Sequence, residues 1–237
     1  MSPPQEEGRQ LSFDLGHRPA LGRDDFLISP CNREAVDWID LWPVWPSPAL
    51  ILCGPAGSGK SHLAAVWRDR SGALPVTGDT LGEAPGQVAE TAPHRLIDPA
   101  NALGQKGALG QKGALGQEEA LLHLYNNVAD AGGTLLLAAD TPPARWSLAL
   151  PDLASRLRAA PVVTIGQPDD ALLGAVLVKM FADRQLRVPP DVIAFLLVRM
   201  ERSFAAARSL VARIDARALA EKRALTVPFV RSVFEQD

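Results

Sequence analysis

Short runs of consecutive apolar residues recur along the chain, separated by stretches whose apolar positions return every three to four residues. Ala49-Leu50-Ile51-Leu52-Cys53, ended by Gly54, contains no charged position and reads as a strand buried on both faces. Leu74 to Thr77, His94 to Asp98, Leu135 to Ala139 and Pro161 to Gly166 have the same character. Helical patterns lie between them, notably over Lys60 to Arg70 and Gln117 to Ala131. Strands alternating with helices predict an α/β fold, a five-stranded parallel sheet with helices on both faces.

After Gly166 the strand signal stops. Gln167-Pro168-Asp169-Asp170 is a good helix start, with proline in the first turn and acids against the helix dipole, and the pattern runs to about Asp183. Pro190-Asp191 opens a second helix, Ser203 to Ala220 makes a third, and Thr226 caps a last one over Val227 to Phe234. Residues 21–166 therefore read as an α/β base and 167–237 as a small all-helical domain. Residues 1–20 are rich in Pro, Gly, Gln and Glu and read as a flexible arm. Within the arm, Gln10-Leu11-Ser12-Phe13-Asp14-Leu15 alternates apolar and polar residues, as an extended peptide does when it docks into a groove. The hexapeptide starting at Ala102 recurs at 108–113 and in part at 114–117, a Gly-rich repeat best read as a loop expansion.

Composition narrows the function classes. The 237 residues carry 24 Lys+Arg against 27 Asp+Glu, a net charge of -3, which excludes a polycation gripping phosphate backbones by bulk charge. Two cysteines, Cys31 and Cys53, are too few for a disulfide framework and too isolated for a zinc site. The N-terminus lacks a cationic start followed by an apolar run, and there is no long apolar stretch. The expectation is a soluble cytoplasmic protein without membrane attachment. Trp38, Trp42 and Trp45, interleaved with Pro43, Pro46 and Pro48, form a core and hinge cluster or a wall for an adenine ring. His62 and His123 fall on predicted helices facing the sheet, as packing or hydrogen-bonding histidines.

One motif carries definite chemistry. Gly54-Pro55-Ala56-Gly57-Ser58-Gly59-Lys60-Ser61 fits G-x-x-x-x-G-K-[ST] between a buried strand and a helix. Its glycines let successive backbone N–H groups turn inward around an anion, and the helix that follows adds its positive end. Lys60 is expected to reach the β and γ phosphates and the Ser61 hydroxyl to hold Mg2+. Asp98, at the end of the Arg95-Leu96-Ile97 strand, is the second candidate for the metal. The residue after it is Pro99, which cannot polarise an attacking water. Glu118 and Glu119 would substitute only if the Gly-rich loop folded back. Intrinsic turnover is therefore expected to be slow.

Further segments resemble the DnaA/Hda family of AAA+ P-loop proteins. Phe26-Leu27-Ile28-Ser29-Pro30 through Ala35 is similar to the segment that opens the family's ATPase domain, and Gly59-Lys60-Ser61-His62-Leu63 to its nucleotide loop. Gln117-Glu118-Glu119 leading to Tyr125-Asn126 resembles the next helix, and Ala139-Asp140-Thr141-Pro142-Pro143 the sensor-1 turn. Pro151-Asp152-Leu153-Ala154-Ser155-Arg156-Leu157 resembles box VII, and Ile214 to Val230 the end of Hda-like regulatory inactivators of DnaA. The resemblance implies an AAA+ base with a helical lid, binding ADP or ATP with Mg2+ through Gly54–Ser61, His62 and Asp140. It implies that Gln10, Leu11, Phe13 and Leu15 bind the DNA polymerase sliding clamp (beta subunit), placing the protein on the nucleoid. It makes Arg156 an arginine finger offered in trans to ATP on a DnaA-type initiator, with Arg158 as its neighbouring alternative. A homo-oligomer is compatible with this, and sequence-specific DNA binding is not expected. The rival is an ATPase or DNA-associated adaptor with its own nucleotide cycle, working through a locally basic lid. One departure stands out: the family's sensor-2 arginine falls near Phe204-Ala205, with only Arg202 and Arg208 flanking it.

Overall fold

In a computed structural model of the chain the described residues are 27–81, 93–98 and 115–234. The base comprises α1 (Arg33–Asp40), β1 (Ala49–Cys53), α2 (Lys60–Ser71), β2 (Leu74–Pro75), α3 (Gly78–Leu81), β3 (Arg95–Ile97), α4 (Leu115–Asp130), β4 (Leu135–Ala139), α5 (Pro151–Ala159) and β5 (Val162–Thr164). A single 3-10 turn, Pro143–Arg145, links β4 to α5. The strands form one parallel sheet in the order β2-β3-β4-β1-β5.

The unbroken apolar runs are explained by which face each residue serves. Along β1, Ala49, Ile51 and Cys53 join one core with α4 and α5, while Leu50 and Leu52 join another with α1 and α2. Along β4, Leu135, Leu137 and Ala139 face the first core and Leu136 the second. A strand with both faces buried has no position left for a polar residue. The outer strands are shorter than their sequence patterns. β5 covers Val162–Thr164, although Ile165 N–H still donates to Cys53 O at 2.7 Å, so the ladder outruns the strand by one bond.

The lid is built from α6 (Asp170–Asp183), α7 (Pro190–Arg199), α8 (Phe204–Glu221) and α9 (Val227–Phe234) around Leu173, Leu177, Phe181, Val211, Ile214 and Phe229. Its ends are capped by side chains. Asp169 accepts from Leu172 N–H at 2.7 Å and Ser203 from Ala206 N–H at 3.0 Å, caps typically worth about 1 kcal/mol each. At the other end of α9, Arg213 and Arg217 donate to the carbonyls of Val233 and Ser232 at 2.9 and 2.8 Å. No helix among the described residues is long and apolar enough to cross a membrane.

One sequence reading is corrected here, and one choice between two readings is decided. His123 is exposed, because α4 commits Leu121, Leu124, Tyr125 and Val128 to the core and position 123 lies off that face. The tryptophans serve packing: Trp45 stacks on Trp67 with centroids 5.5 Å apart, and Trp42 meets Trp67 edge-on at 6.4 Å. The Trp42 Nε1–H donates to Thr134 Oγ1 at 3.0 Å, just before β4 begins. That is the N-terminal edge of the sheet, opposite the edge from which the glycine-rich loop leaves, so Trp42 cannot wall a nucleotide held there.

The same threonine fixes His94. Thr134 N–H and the Thr134 hydroxyl approach His94 Nδ1 at 3.2 and 2.9 Å, so Nδ1 is the acceptor and carries no proton. Burial, and secondly the Arg95 charge, lower the His94 pKa below its ordinary 6.5. As pH falls, the unfolded chain takes up this proton before the folded one does. The stabilising contribution is complete above the unfolded pKa and is lost as pH falls through the folded one. Thermal unfolding followed from pH 7.5 to 5 is expected to show a falling melting temperature, and His94→Gln to flatten that fall.

Candidate nucleotide site

The sheet register assembles the site. Cys53 pairs with Ala139 in β4 and Thr164 in β5, so the residues that follow, Gly54, Asp140 and Ile165, emerge together at the C-terminal edge. Gly54 N–H donates to Ala139 O at 3.1 Å. A Cβ on Gly54 would stand 2.5 Å from Ile165 O and 2.8 Å from Ser58 Oγ, so no larger residue fits. Gly57 and Gly59 have φ of 73° and 100°, a left-handed backbone that turns the loop back on itself. Gly59 is also the N-cap of α2 and offers no side chain, leaving that helix's first N–H groups to an external anion.

Lys60 is buried, and its ammonium donates to Gly54 O at 2.7 Å, Pro55 O at 2.9 Å and Asp140 Oδ1 at 2.9 Å. Ser58 Oγ is buried inside the loop with no hydrogen-bond partner among the described residues. Pro55, Ala56 and Ser61 are exposed, and His62 is half-buried on the first turn of α2. Ser61 and Asp98 line one recess of about 70 Å³ together with Val76, Thr77, Ala65 and Arg68. A hydroxyl and a carboxylate at the same recess are hard oxygen donors of the kind Mg2+ takes. Inward backbone donors, a ready cation and an unsatisfied hydroxyl fit a nucleoside phosphate. The Cys53 thiol behind the loop is pushed up to about 11 by burial, with Lys60 opposing and Asp140 adding to the shift, so it stays neutral and takes no part as a nucleophile.

The lid closes directly on this loop. Phe204 N–H, at the start of α8, donates to Gly57 O at 2.9 Å. A Cβ on Gly57 would lie 2.9 Å from Ser203 Cβ and 3.3 Å from Ala205 Cβ. Small side chains, Ser203 and Ala205, thus pack against the loop. Arg202 is tied to Asp170 at 3.1 Å, at the start of α6, whereas Arg208 is exposed one turn into α8. Nothing in the local pattern of Ser203-Phe204-Ala205 announces this contact, since its partner lies in another domain.

The remaining candidates lie apart. Arg156, on α5, pairs with Asp152 at 3.2 Å and lies over the Tyr125 ring at 5.6 Å, with 40% of its side chain exposed. Neither partner belongs to the phosphate loop, and Arg158 on the same helix is exposed. Glu118 is buried and accepts from the N–H groups of Ala149 and Leu150 at 2.9 and 2.8 Å, which removes it as a stand-in water-activating acid. Glu119 is exposed. Gln10, Leu11, Phe13 and Leu15, Pro99 and the Gly-rich repeat up to residue 114 lie outside the described residues.

A family model described as the lid domain of Hda matches residues 170–234. Domain III of the replication initiation protein DnaA from Thermotoga maritima superposes with a TM-score of 0.78 at 16% identity, over 92% of this chain and 97% of that one. AMPPCP-bound DnaA from Aquifex aeolicus gives 0.67 at 16% identity, over 86% and 67% of the two chains. A RuvB variant from Thermotoga maritima gives 0.63 at 15% identity, over 86% and 67%. The chain thus shares the fold of DnaA domain III, and its last four helices match the model of the Hda lid domain.

The docking of α8 on the loop makes Gly57 a sensitive position. Gly57→Ala forces a side chain into left-handed backbone, about 1–2 kcal/mol, and against Ser203. Urea denaturation should show a loss of at least that size, and Phe204 N–H should exchange faster with solvent. An unchanged midpoint and unchanged exchange would remove the contact from consideration.

Proposed function

We propose that this chain, a DnaA-related AAA+ protein with an Hda lid domain, is a negative regulator of replication initiation that activates ATP hydrolysis on a DnaA-type initiator. The observation that carries the reading is Arg156: a half-exposed guanidinium whose contacts, Asp152 and Tyr125, both lie outside the chain's own phosphate loop. An arginine so held is suited to another protein's nucleotide. In phosphoryl transfer such a group stabilises charge on the transferring oxygens and is worth roughly 10³–10⁵ in rate.

The chain's own nucleotide serves a different purpose on this reading. The likeness to a DnaA bound to AMPPCP supports an adenine nucleotide, ADP or ATP, in the Gly54–Ser61 loop. Lys60 would exchange its carbonyl partners for phosphate oxygens, with Asp140 holding the ammonium in place. Ser61 and Asp98 would hold Mg2+, which neutralises phosphate charge when bound. Pro99 after Asp98 cannot polarise a water, and Glu118 is occupied by Ala149 and Leu150, so neither position supplies the second acid. The nucleotide is a structural ligand that is turned over slowly or not at all.

Gln10, Leu11, Phe13 and Leu15 supply the tether to the sliding clamp. The glutamine amide pairs with backbone at a groove rim while the apolar side chains enter pockets. Such a tether would raise the local concentration to about the millimolar range, so a weak contact between finger and initiator would suffice.

Single-turnover hydrolysis of ATP pre-bound to the initiator, with DNA-loaded clamp, tests the assembly. Wild type should accelerate hydrolysis, and Arg156→Ala should lose roughly 10³-fold or more of the acceleration. A form lacking residues 1–15 should fail at low protein concentration and recover at high concentration, which a finger defect cannot do. Lys60→Ala should abolish binding of MgADP by calorimetry. Fast steady-state hydrolysis by the isolated protein, lost in Lys60→Ala, would instead establish a nucleotide cycle of its own.

A further inference from the structure

The one buried acid of α4 holds the helix that carries Arg156. Glu118 Oε2 accepts both the Ala149 N–H, at 2.9 Å, and the Leu150 N–H, at 2.8 Å, immediately before α5 begins at Pro151. Leu150 is the N-cap of α5 and offers no side-chain cap of its own, so the entry to this helix is fixed from another element. On the same face of α4, three, four and seven residues further on, lie Leu121, Leu122 and Tyr125. Leu121 packs with Leu153 and Leu157 of α5 in one core, and Tyr125 lies beneath the Arg156 guanidinium.

These contacts differ in kind. Apolar packing is non-directional and would let a helix of nine residues slide or roll by a fraction of a turn. Two hydrogen bonds converging on one carboxylate oxygen are directional and forbid it. We propose that Glu118 is a positioning residue for Arg156: through Ala149 and Leu150 it sets where α5 begins and hence where the guanidinium stands over Tyr125. The functional half of this inference rests on reading Arg156 as a finger offered in trans; the geometric half does not.

The chain contains a single tyrosine, so fluorotyrosine labelling of the full chain puts one fluorine resonance at Tyr125. Arg156→Ala should shift that resonance by removing the cation from the ring. Glu118→Ala should shift it in the same direction and broaden it, and Glu118→Gln, which keeps the shape and one acceptor oxygen, should fall between. In the initiator assay Glu118→Ala should lower the maximal rate about 10–100-fold, the cost of a misplacement of order 1 Å, without moving the half-saturating concentration. Because the acid acts through the arginine, the double variant should be no slower than Arg156→Ala alone.

A resonance unmoved in both Glu118 variants overturns the proposal, as do losses that multiply in the double variant. Should Glu118→Ala not fold, Glu118→Gln carries the same comparisons. If Arg156→Ala leaves hydrolysis intact, the finger reading falls. If Arg156→Ala abolishes stimulation while both Glu118 variants retain it, the positioning role alone falls.

Discussion

Lys60 is a nearly buried cation, and its three oxygen partners come from two strand ends. Gly54 and Pro55 supply carbonyls from the end of β1, and Asp140 supplies a carboxylate from the end of β4. A charge in such a place is tolerated only when it is fully paired. That pairing needs the β1–β4 register in which Cys53 faces Ala139. A slip of one residue would carry Asp140 away from the loop and turn every apolar side chain of β4 to the opposite core. Sheet register and phosphate cradle are therefore one constraint. The same carbonyls that satisfy the ammonium can release it to an anion, because Asp140 keeps part of the pairing during the exchange.

The second joint lies between base and lid, and it is made of backbone. Phe204 N–H meets the Gly57 carbonyl, with Ser203 and Ala205 packed where any side chain on Gly57 would go. Two positions are thereby tied together: a glycine whose positive φ shapes the loop and a helix start whose orphan donors need partners. Arg202 braces the lid internally through Asp170. The lid thus senses the shape of the phosphate loop through the chain itself, with no long side chain needed between them.

The sequence is legible where a residue's conformation is decided by its neighbours. The limits of β1 and β4 match the apolar runs because both faces of each strand are buried. The loop is legible because a left-handed backbone and a close approach demand glycine. The lid helices are legible from their caps, with Asp169 and Ser203 each bonding three residues onward. Long-range pairings are not legible in this way. Glu118 in an acidic helix start looks like any other glutamate, and its partners lie 31 and 32 residues further on. The exposure of His123 follows from which face of α4 the sheet selects. Trp42 reads equally well as core or ligand wall until Thr134, 92 residues away, claims its indole N–H.

A complete phosphate loop without a second acid after Asp98 raises the question of what a nucleotide bound there would be for. The joints described above supply an answer in terms of stability. A ligand that binds only the folded chain stabilises it by about 2.7 kcal/mol at a hundred times its dissociation constant. Bound at Gly54–Ser61, it would act on the loop that β1, β4 and the lid all touch, so its binding energy would be distributed over both domains. Hydrolysis would spend that stabilisation on a step the chain has no use for. Arg156 stands on α5 with its charge directed to Asp152 and Tyr125 and not to this loop, so it adds nothing to the chain's own site. On the proposed reading the two cations divide the work: Lys60 would hold a ligand that stabilises base and lid together, and that stability would help Glu118 and Tyr125 keep Arg156 in place for a nucleotide on another protein.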